Sequence, residues 1–313
     1  MLSKHILTTI TYYDVLDYPL TSFEIWKYLT THNSQPTILN PPPCSLADIV
    51  KGLEDESLKK FIEEYRGFSF LKGRKGLVEQ RIKRGKLAEE KYKILLGVAK
   101  ILRFAPYVRM IAVTGRMAMK NTEEKSDLDL LVVLKHGKIF TGRTLVTLLV
   151  HLLGKRRHKG KITDRVCLNY FITTRSLKIS LKDLYSSSEY YFIQPLFGFE
   201  VFHEFQAANK WIGNYKINYQ PDGLPGLKML KDAFLAKIAR RTGEIILKPN
   251  FIEKVLKNWQ IKRIAKNPKT YQPGSVIMAN DETLIFLPRP QGPKVYGKFQ
   301  EKLGALTKSS IFM

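Results

Sequence analysis

The stretch VTGRMAMKNTEEKSDLDLLVV, residues 113–133, places two carboxylates, Asp127 and Asp129, at the head of an apolar run that reads as a buried strand. Side chains i and i+2 of a strand project to the same side, so the two acids stand together, about 7 Å apart at their Cα atoms. Leu128 and Leu130 face the other way. Beside LLVVL, two adjacent unpaired charges would be costly to bury. A divalent cation between them removes the repulsion, and hard ions such as Mg²⁺, or Mn²⁺ in its place, take oxygen ligands and recruit phosphate oxygens. The competing interpretation is a strand end with two solvated acids, or a salt bridge to nearby lysines.

The neighbouring residues support a small sheet around the pair. VRMIAVTG reads as a strand ending in Gly115, whose lack of a side chain permits close backbone approach, and the MAMK turn after it can aim amide N–H groups at a triphosphate. KIFTGRTLVTLLVHLL is a helix candidate, GKRRHKGK a basic loop and RVCLNYFIT a third strand. The order strand, turn, strand, helix, strand predicts a small mixed sheet with helices on one face, in an α/β chain of the α+β type.

Gly115-Arg116, ten intervening residues and then Asp127-Leu128-Asp129-Leu130 resemble the signature of the polymerase β-like nucleotidyltransferase superfamily, over residues 105–175. The resemblance implies the nucleotidyltransferase fold and Mg²⁺-dependent transfer of a nucleoside monophosphate from a nucleoside triphosphate such as ATP to a hydroxyl acceptor. It implies that Asp127 and Asp129 hold metal, and that Thr114, Gly115, Arg116 and the turn amides cradle the β and γ phosphates. Arg116 stands where the family has serine or glycine, and a guanidinium can still grip phosphate in bidentate fashion. The third acidic position of the family falls on Asn169 in VCLNYF. An amide oxygen can coordinate a metal but takes no proton near neutral pH, and losing a general base costs about 10²- to 10⁴-fold in rate. Asp164 is the nearest substitute, at the start of the strand and away from the pair. Catalysis is therefore expected to be slow, or given up in favour of nucleotide binding.

Residues 1–75 read as helix, turn, helix and then a short hairpin, and helix-turn-helix followed by a hairpin resembles a winged-helix domain. ILTTITYYDVL is the first helix, Thr21 with Glu24 forms a capping box opening FEIWKYLT, and Ser45 with Asp48 opens LADIVKGL after the Pro-rich TILNPPP loop. FIEEYRGFSFLKG alternates and turns at Arg66-Gly67. The helix from Ser45 is the candidate for a DNA groove, yet Asp48, Glu54, Asp55 and Glu56 on or beside it repel phosphates, which leaves a packing role open beside it. Residues 76–104 are a connecting helix closed by Pro106. Residues 176–313 form a basic, mainly helical region ending in the strand-like SVIMANDETLIFLP. Within it Phe199, Phe202, Phe205, Ile212 and Tyr215 recur at helical steps, as a core stripe or as a base-stacking surface.

Charge points to partners. The 313 residues hold 52 Lys+Arg against 28 Asp+Glu, and residues 201–313 alone carry 19 basic and 8 acidic side chains. That balance favours polyanions, meaning nucleic acid or nucleotide phosphates. Lys155, Arg156, Arg157, Lys159 and Lys161 either grip an acceptor's phosphates or form a solvated loop. A protein acceptor fits the transfer reading equally well. The competing functional class is a nucleic-acid-binding or nucleotide-sensing regulator built on a degenerate catalytic domain. Two distant cysteines and six histidines without paired spacing argue against a disulfide framework or a zinc site. The chain has no apolar run long enough to span a bilayer and opens without a signal-peptide pattern, so a cytoplasmic location without a membrane partner is the expectation. Oligomeric state leaves no mark on the sequence.

Overall fold

The computed structural model describes residues 1–31, 43–158, 160–221 and 229–311, so most of the TILNPPP loop lies outside the described residues. Four helices lead, α1 (Leu2–Val15), α2 (Ser22–Lys27), α3 (Leu46–Leu53) and α4 (Glu56–Lys59). The hairpin β1 (Ile62–Tyr65) and β2 (Phe68–Leu71) and the long α5 (Gly76–Leu102) follow. Next come β3 (Val108–Val113), α6 (Gly115–Ala118), β4 (Leu128–Leu134), α7 (Ile139–Leu152) and β5 (Val166–Thr173). The chain continues through α8 (Leu184–Tyr191), β6 (Gln194–Phe197), α9 (Phe199–Ala208), α10 (Phe234–Ile246) and α11 (Asn250–Ala265). It closes with the hairpin β7 (Val276–Ala279) and β8 (Thr283–Leu287), then α12 (Gln291–Ile311).

Local chemistry accounts for many of these boundaries. Both expected capping boxes form: Thr21 and Glu24 at α2, Ser45 and Asp48 at α3, each with side chain and backbone bonds in both directions. The β1–β2 turn places Arg66 and Gly67 at φ 53° and 75°, the left-handed pair that a two-residue hairpin needs to match strand twist.

Six strands form a mixed sheet in the order β6-β3-β4-β5-β8-β7, with β4 and β5 parallel across α7 and every other neighbour antiparallel. On one side Leu130, Val132 and Leu134 of β4 share a core with Leu95 of α5 and Phe140 and Val146 of α7. On the other side Leu131 and Val133 pack with Tyr190 of α8 and with Phe202 and Phe205 of α9. Helices therefore cover both faces, where the sequence reading expected one. The reason is visible in LLVVL itself, since a continuous apolar run without polar alternation must be covered on both sides.

The sheet also reaches beyond residue 175. β7 and β8 form in the stretch read as strand-like, SVIMANDETLIFLP, whereas β6 comes from a part read as helical, and β8 pairs with β5 at Tyr170↔Ile285. β6 is four residues long and contains Pro195, which suits the sheet edge it occupies. Phe202, Phe205, Ile212 and Tyr215 are buried, which makes them core, and only Phe199 of that stripe is exposed. Base stacking is therefore closed to the buried four.

The leading helices pack onto the rest. α1 is buried through Ile6, Ile10, Tyr12 and Tyr13, and its Asp14 is paired with Arg74 at 3.0 Å and with Lys302 of α12. Buried Lys216 donates to Thr30 Oγ1 at 2.9 Å and to the Tyr13 hydroxyl at 3.3 Å. α3 buries Ile49 but exposes Asp48.

Gly198, between β6 and α9, tests how tightly this arrangement is held. Its φ is +87°, and a Cβ there would lie 2.1 Å from the Arg109 carbonyl oxygen. Gly198→Ala should cost on the order of 3 kcal/mol of stability, read from the urea midpoint; a loss under about 0.5 kcal/mol would contradict the packing described.

Candidate active site

The site starts at the end of β3. Gly115 adopts φ +63°, and a Cβ added there would sit 3.1 Å from Asp129 Oδ2, so backbone conformation and space both exclude a side chain. Thr114, buried, donates its backbone N–H to the Asp129 carbonyl at 3.2 Å, which continues the β3–β4 pairing up to the acids. The Gly115 N–H in turn donates to the carboxylate of Glu189 on α8.

Asp127 immediately precedes β4 and Asp129 is its second residue. Asp127 Oδ2 accepts a charge-assisted bond from Arg157 Nη1, and the same nitrogen approaches Cys167 Sγ at 3.5 Å. Asn169 Nδ2 donates to Asp129 Oδ1 at 3.2 Å. A register shift between β4 and β5 arranges this row: Asp129 pairs with Cys167, but Leu131 pairs with Tyr170, leaving β5 one residue longer across the step. Ligand atoms of Asp127, Asp129 and Cys167 lie within 4.8 Å of one another, a spacing that can hold a metal ion.

The electrostatics are those of crowded acids at the edge of a core. Burial, and then the charge of Asp127, push the Asp129 carboxyl up to about 6, against the hydrogen bonds from Cys167 and Asn169. Burial and the neighbouring Asp129 and Asp183 push Glu189 up to about 8, against the Gly115 N–H. Burial, with the two aspartates behind it, raises Cys167 so far that its sulfur stays a thiol. A neutral thiol is a poor ligand for a hard cation, which leaves the oxygens of Asp127 and Asp129 as the donors that fit Mg²⁺ or Mn²⁺.

Thr114, Gly115, Asp127, Asp129, Asn169 and Arg157 thus come together. Arg116 is turned aside: it pairs with Glu123 at 2.7 Å, an acid that also takes Arg84 at 2.8 Å. Lys155 and Arg156 serve the backbone beside β5, with the Val166 N–H donating to the Lys155 carbonyl at 2.7 Å and Arg156 bridged to Val166. Lys161 sits exposed in a tight turn with His158, and Lys159 lies outside the described residues. Asp164 pairs with Lys91 at 2.8 Å. Buried Lys91 also donates to the carbonyls of Glu124 and Ser126, at 2.8 and 3.0 Å, and so fixes the approach to Asp127 from α5.

Sequence reasoning missed Cys167, Glu189 and Lys91 at this site. Cys167 was signalled by its two-residue step from Asn169, which places both on one side of a strand. Glu189 and Lys91 carried no local signal, because only the packing of α8 and α5 brings them here.

Comparison with protein-family models, with curated proteins and with solved structures finds no match to this chain.

The raised Asp129 carboxyl has a definite sign in stability. Between about 4 and about 6 the folded chain keeps a proton that the unfolded chain gives up, so stability falls as pH rises through that window and the penalty is complete above it. Asp129→Asn should therefore stabilise the protein at pH 7.5, by up to about 3 kcal/mol, with the gain disappearing near pH 4. Thermal melts of both proteins across that range measure it, and an equal gain at both ends would refute the assignment.

Proposed function

We propose that the protein is a divalent-metal-dependent nucleotidyltransferase that moves a nucleoside monophosphate from a nucleoside triphosphate to a hydroxyl acceptor. The observation that carries this reading is the pair Asp127 and Asp129, at the head of β4 and against the Gly115 turn, with the Arg157 guanidinium paired to Asp127. Arg157 stands where a cation belongs, which is how a site built for positive charge is expected to look.

In this reading Asp127 and Asp129 would hold Mg²⁺ or Mn²⁺ through their carboxylate oxygens. When bound, the ion would supply Lewis-acid polarisation of the α-phosphate and would offset the charge of the departing pyrophosphate. Arg157 leaves Asp127 and turns to the phosphates, for which its planar fork is suited. Gly115 keeps the turn open so that the phosphate tail can approach the backbone. Asn169 holds Asp129 in place and contributes no base, because an amide takes no proton. Glu189 supplies the proton acceptor for the incoming hydroxyl: it is the carboxyl held at the Gly115 amide, and its raised proton affinity suits a base working at mildly alkaline pH. The acceptor is a nucleic acid or a protein, in keeping with the basic loop that carries Arg157.

A nucleotide sensor without turnover is the second reading, and Asn169 in place of an acid favours it. The two separate on one experiment. Under transfer, ATP with Mg²⁺ raises the melting temperature, pyrophosphate accumulates, and labelled nucleotide enters an RNA or protein acceptor. Asp127→Ala should abolish all three, and equal signal from wild type and variant defeats the proposal. Stabilisation without pyrophosphate selects the sensor.

Glu189→Gln separates chemistry from binding. It should lower the transfer rate about 10²- to 10⁴-fold while leaving the ATP-induced rise in melting temperature in place, and an unchanged rate removes Glu189 from the mechanism.

A further inference from the structure

A surface helix ordinarily turns its apolar stripe inward. α10 does the reverse. Phe234, Leu235, Ile245 and Ile246 are 75%, 71%, 72% and 68% exposed, and Ile238 is exposed with them. At about 100° per residue these five fall within a single arc about 120° wide. The inward side is the polar one. Arg240 is buried, donates to the Arg103 carbonyl at 2.5 Å and grips both oxygens of Asp232 at 2.8 and 2.7 Å. Glu244 takes two bonds from Arg109, at 2.8 and 3.0 Å, and the Tyr107 N–H at 3.1 Å. Gly243 rests on Pro106, where a Cβ would come within 2.4 Å of the ring. These contacts fix the rotation of the helix about its axis, so the outward aim of the apolar arc is built in.

The pattern continues into α11, where Phe251, Val255 and Trp259 are exposed on successive turns. Residues 234–271 contain ten Lys and Arg and only two acids, Glu244 and Glu253. Both acids point inward, Glu253 onto the Phe140 and Thr141 N–H groups at 2.9 Å each. The outward surface of this helix pair is therefore apolar and cationic, without an exposed carboxylate.

That combination discriminates among occupants. A second copy would set one basic margin against another in a chain of net charge +24. Nucleic acid would engage the lysines and arginines but leave the apolar arc in water. An anionic bilayer surface uses both, with Phe, Leu and Ile side chains at the acyl boundary and Lys237, Arg241 and Lys248 among the headgroups. We propose that α10, extended by α11, is an in-plane anchor that seats the protein on an anionic lipid surface. Among the described residues no helix is long and apolar enough to cross a membrane, so the contact is with the surface alone. The proposal goes beyond the expectation of no membrane partner drawn from the sequence, which rested on the lack of a spanning segment and did not weigh surface contact.

The test is co-sedimentation of the full chain with vesicles of phosphatidylcholine alone and of phosphatidylcholine with phosphatidylglycerol at about three to one. The expected result is binding to the anionic vesicles only, weakened by salt. The double variant Leu235→Gln, Ile245→Gln should bind at least about tenfold more weakly, with its melting temperature within a few degrees of wild type because both positions face outward. Failure to bind anionic vesicles overturns the proposal. Equal binding by the variant does so too, since charge alone would then account for it. A dimer that the variant dissociates, without vesicle binding, assigns the face to a second copy and also overturns it.

Discussion

Two carboxylates on one side of one strand persist only where something positive shares their space, and the surroundings of Asp127 and Asp129 are organised by that requirement. Arg157 answers Asp127 directly. Asn169 answers Asp129 with an amide hydrogen, a weaker remedy that leaves this acid short of full ionisation at slightly acid pH. Glu189 adds a third acid rather than relieving the first two, and it is tolerated because the Gly115 amide meets it and because its proton is hard to remove. Such crowding is a cost in the folded state, and the two-sided core around β4 is what sustains it.

The supporting parts are placed with the same economy. Lys91 reaches from α5 to the carbonyls of Glu124 and Ser126 and to Asp164, tying together the turn before β4 and the turn before β5. The ammonium thus fixes both segments that deliver site residues without touching the acids. The step in β4–β5 register does comparable work on the other side, bringing Cys167 level with Asp129 while β5 continues into the sheet. Rigid elements and one irregularity set the geometry, in keeping with the way loops on a fixed scaffold carry chemistry.

Much of this was legible in the sequence. The alternation that stands Asp127 beside Asp129, the Arg66-Gly67 turn and the two capping boxes are local events, and local rules recover them. The two-faced cover was written in LLVVL, and the expectation of helices on one face overlooked it. β6 was hidden by its four-residue length and Pro195, since an edge strand so short leaves no periodic trace. Glu189 is a different kind of omission: no spacing rule connects it to Asp129, because the chain returns there only after completing β5 and turning into α8. The outward stripe of α10 was likewise mute, for the same pattern in a core-facing helix would look identical.

The partners of α1 have a consequence for how the protein is made. Asp14 and Lys302 meet across 288 positions, and β5 obtains its neighbour β8 only from the last part of the sequence. At a synthesis rate of 5–20 residues per second, the first of these contacts waits roughly 15 to 60 s after α1 emerges. Until then Asp14 lacks its Lys302 partner and Tyr12 lacks the Phe299 ring it meets at 5.5 Å, so the covering that α3 and β2 begin over α1 is completed only once α12 has been made.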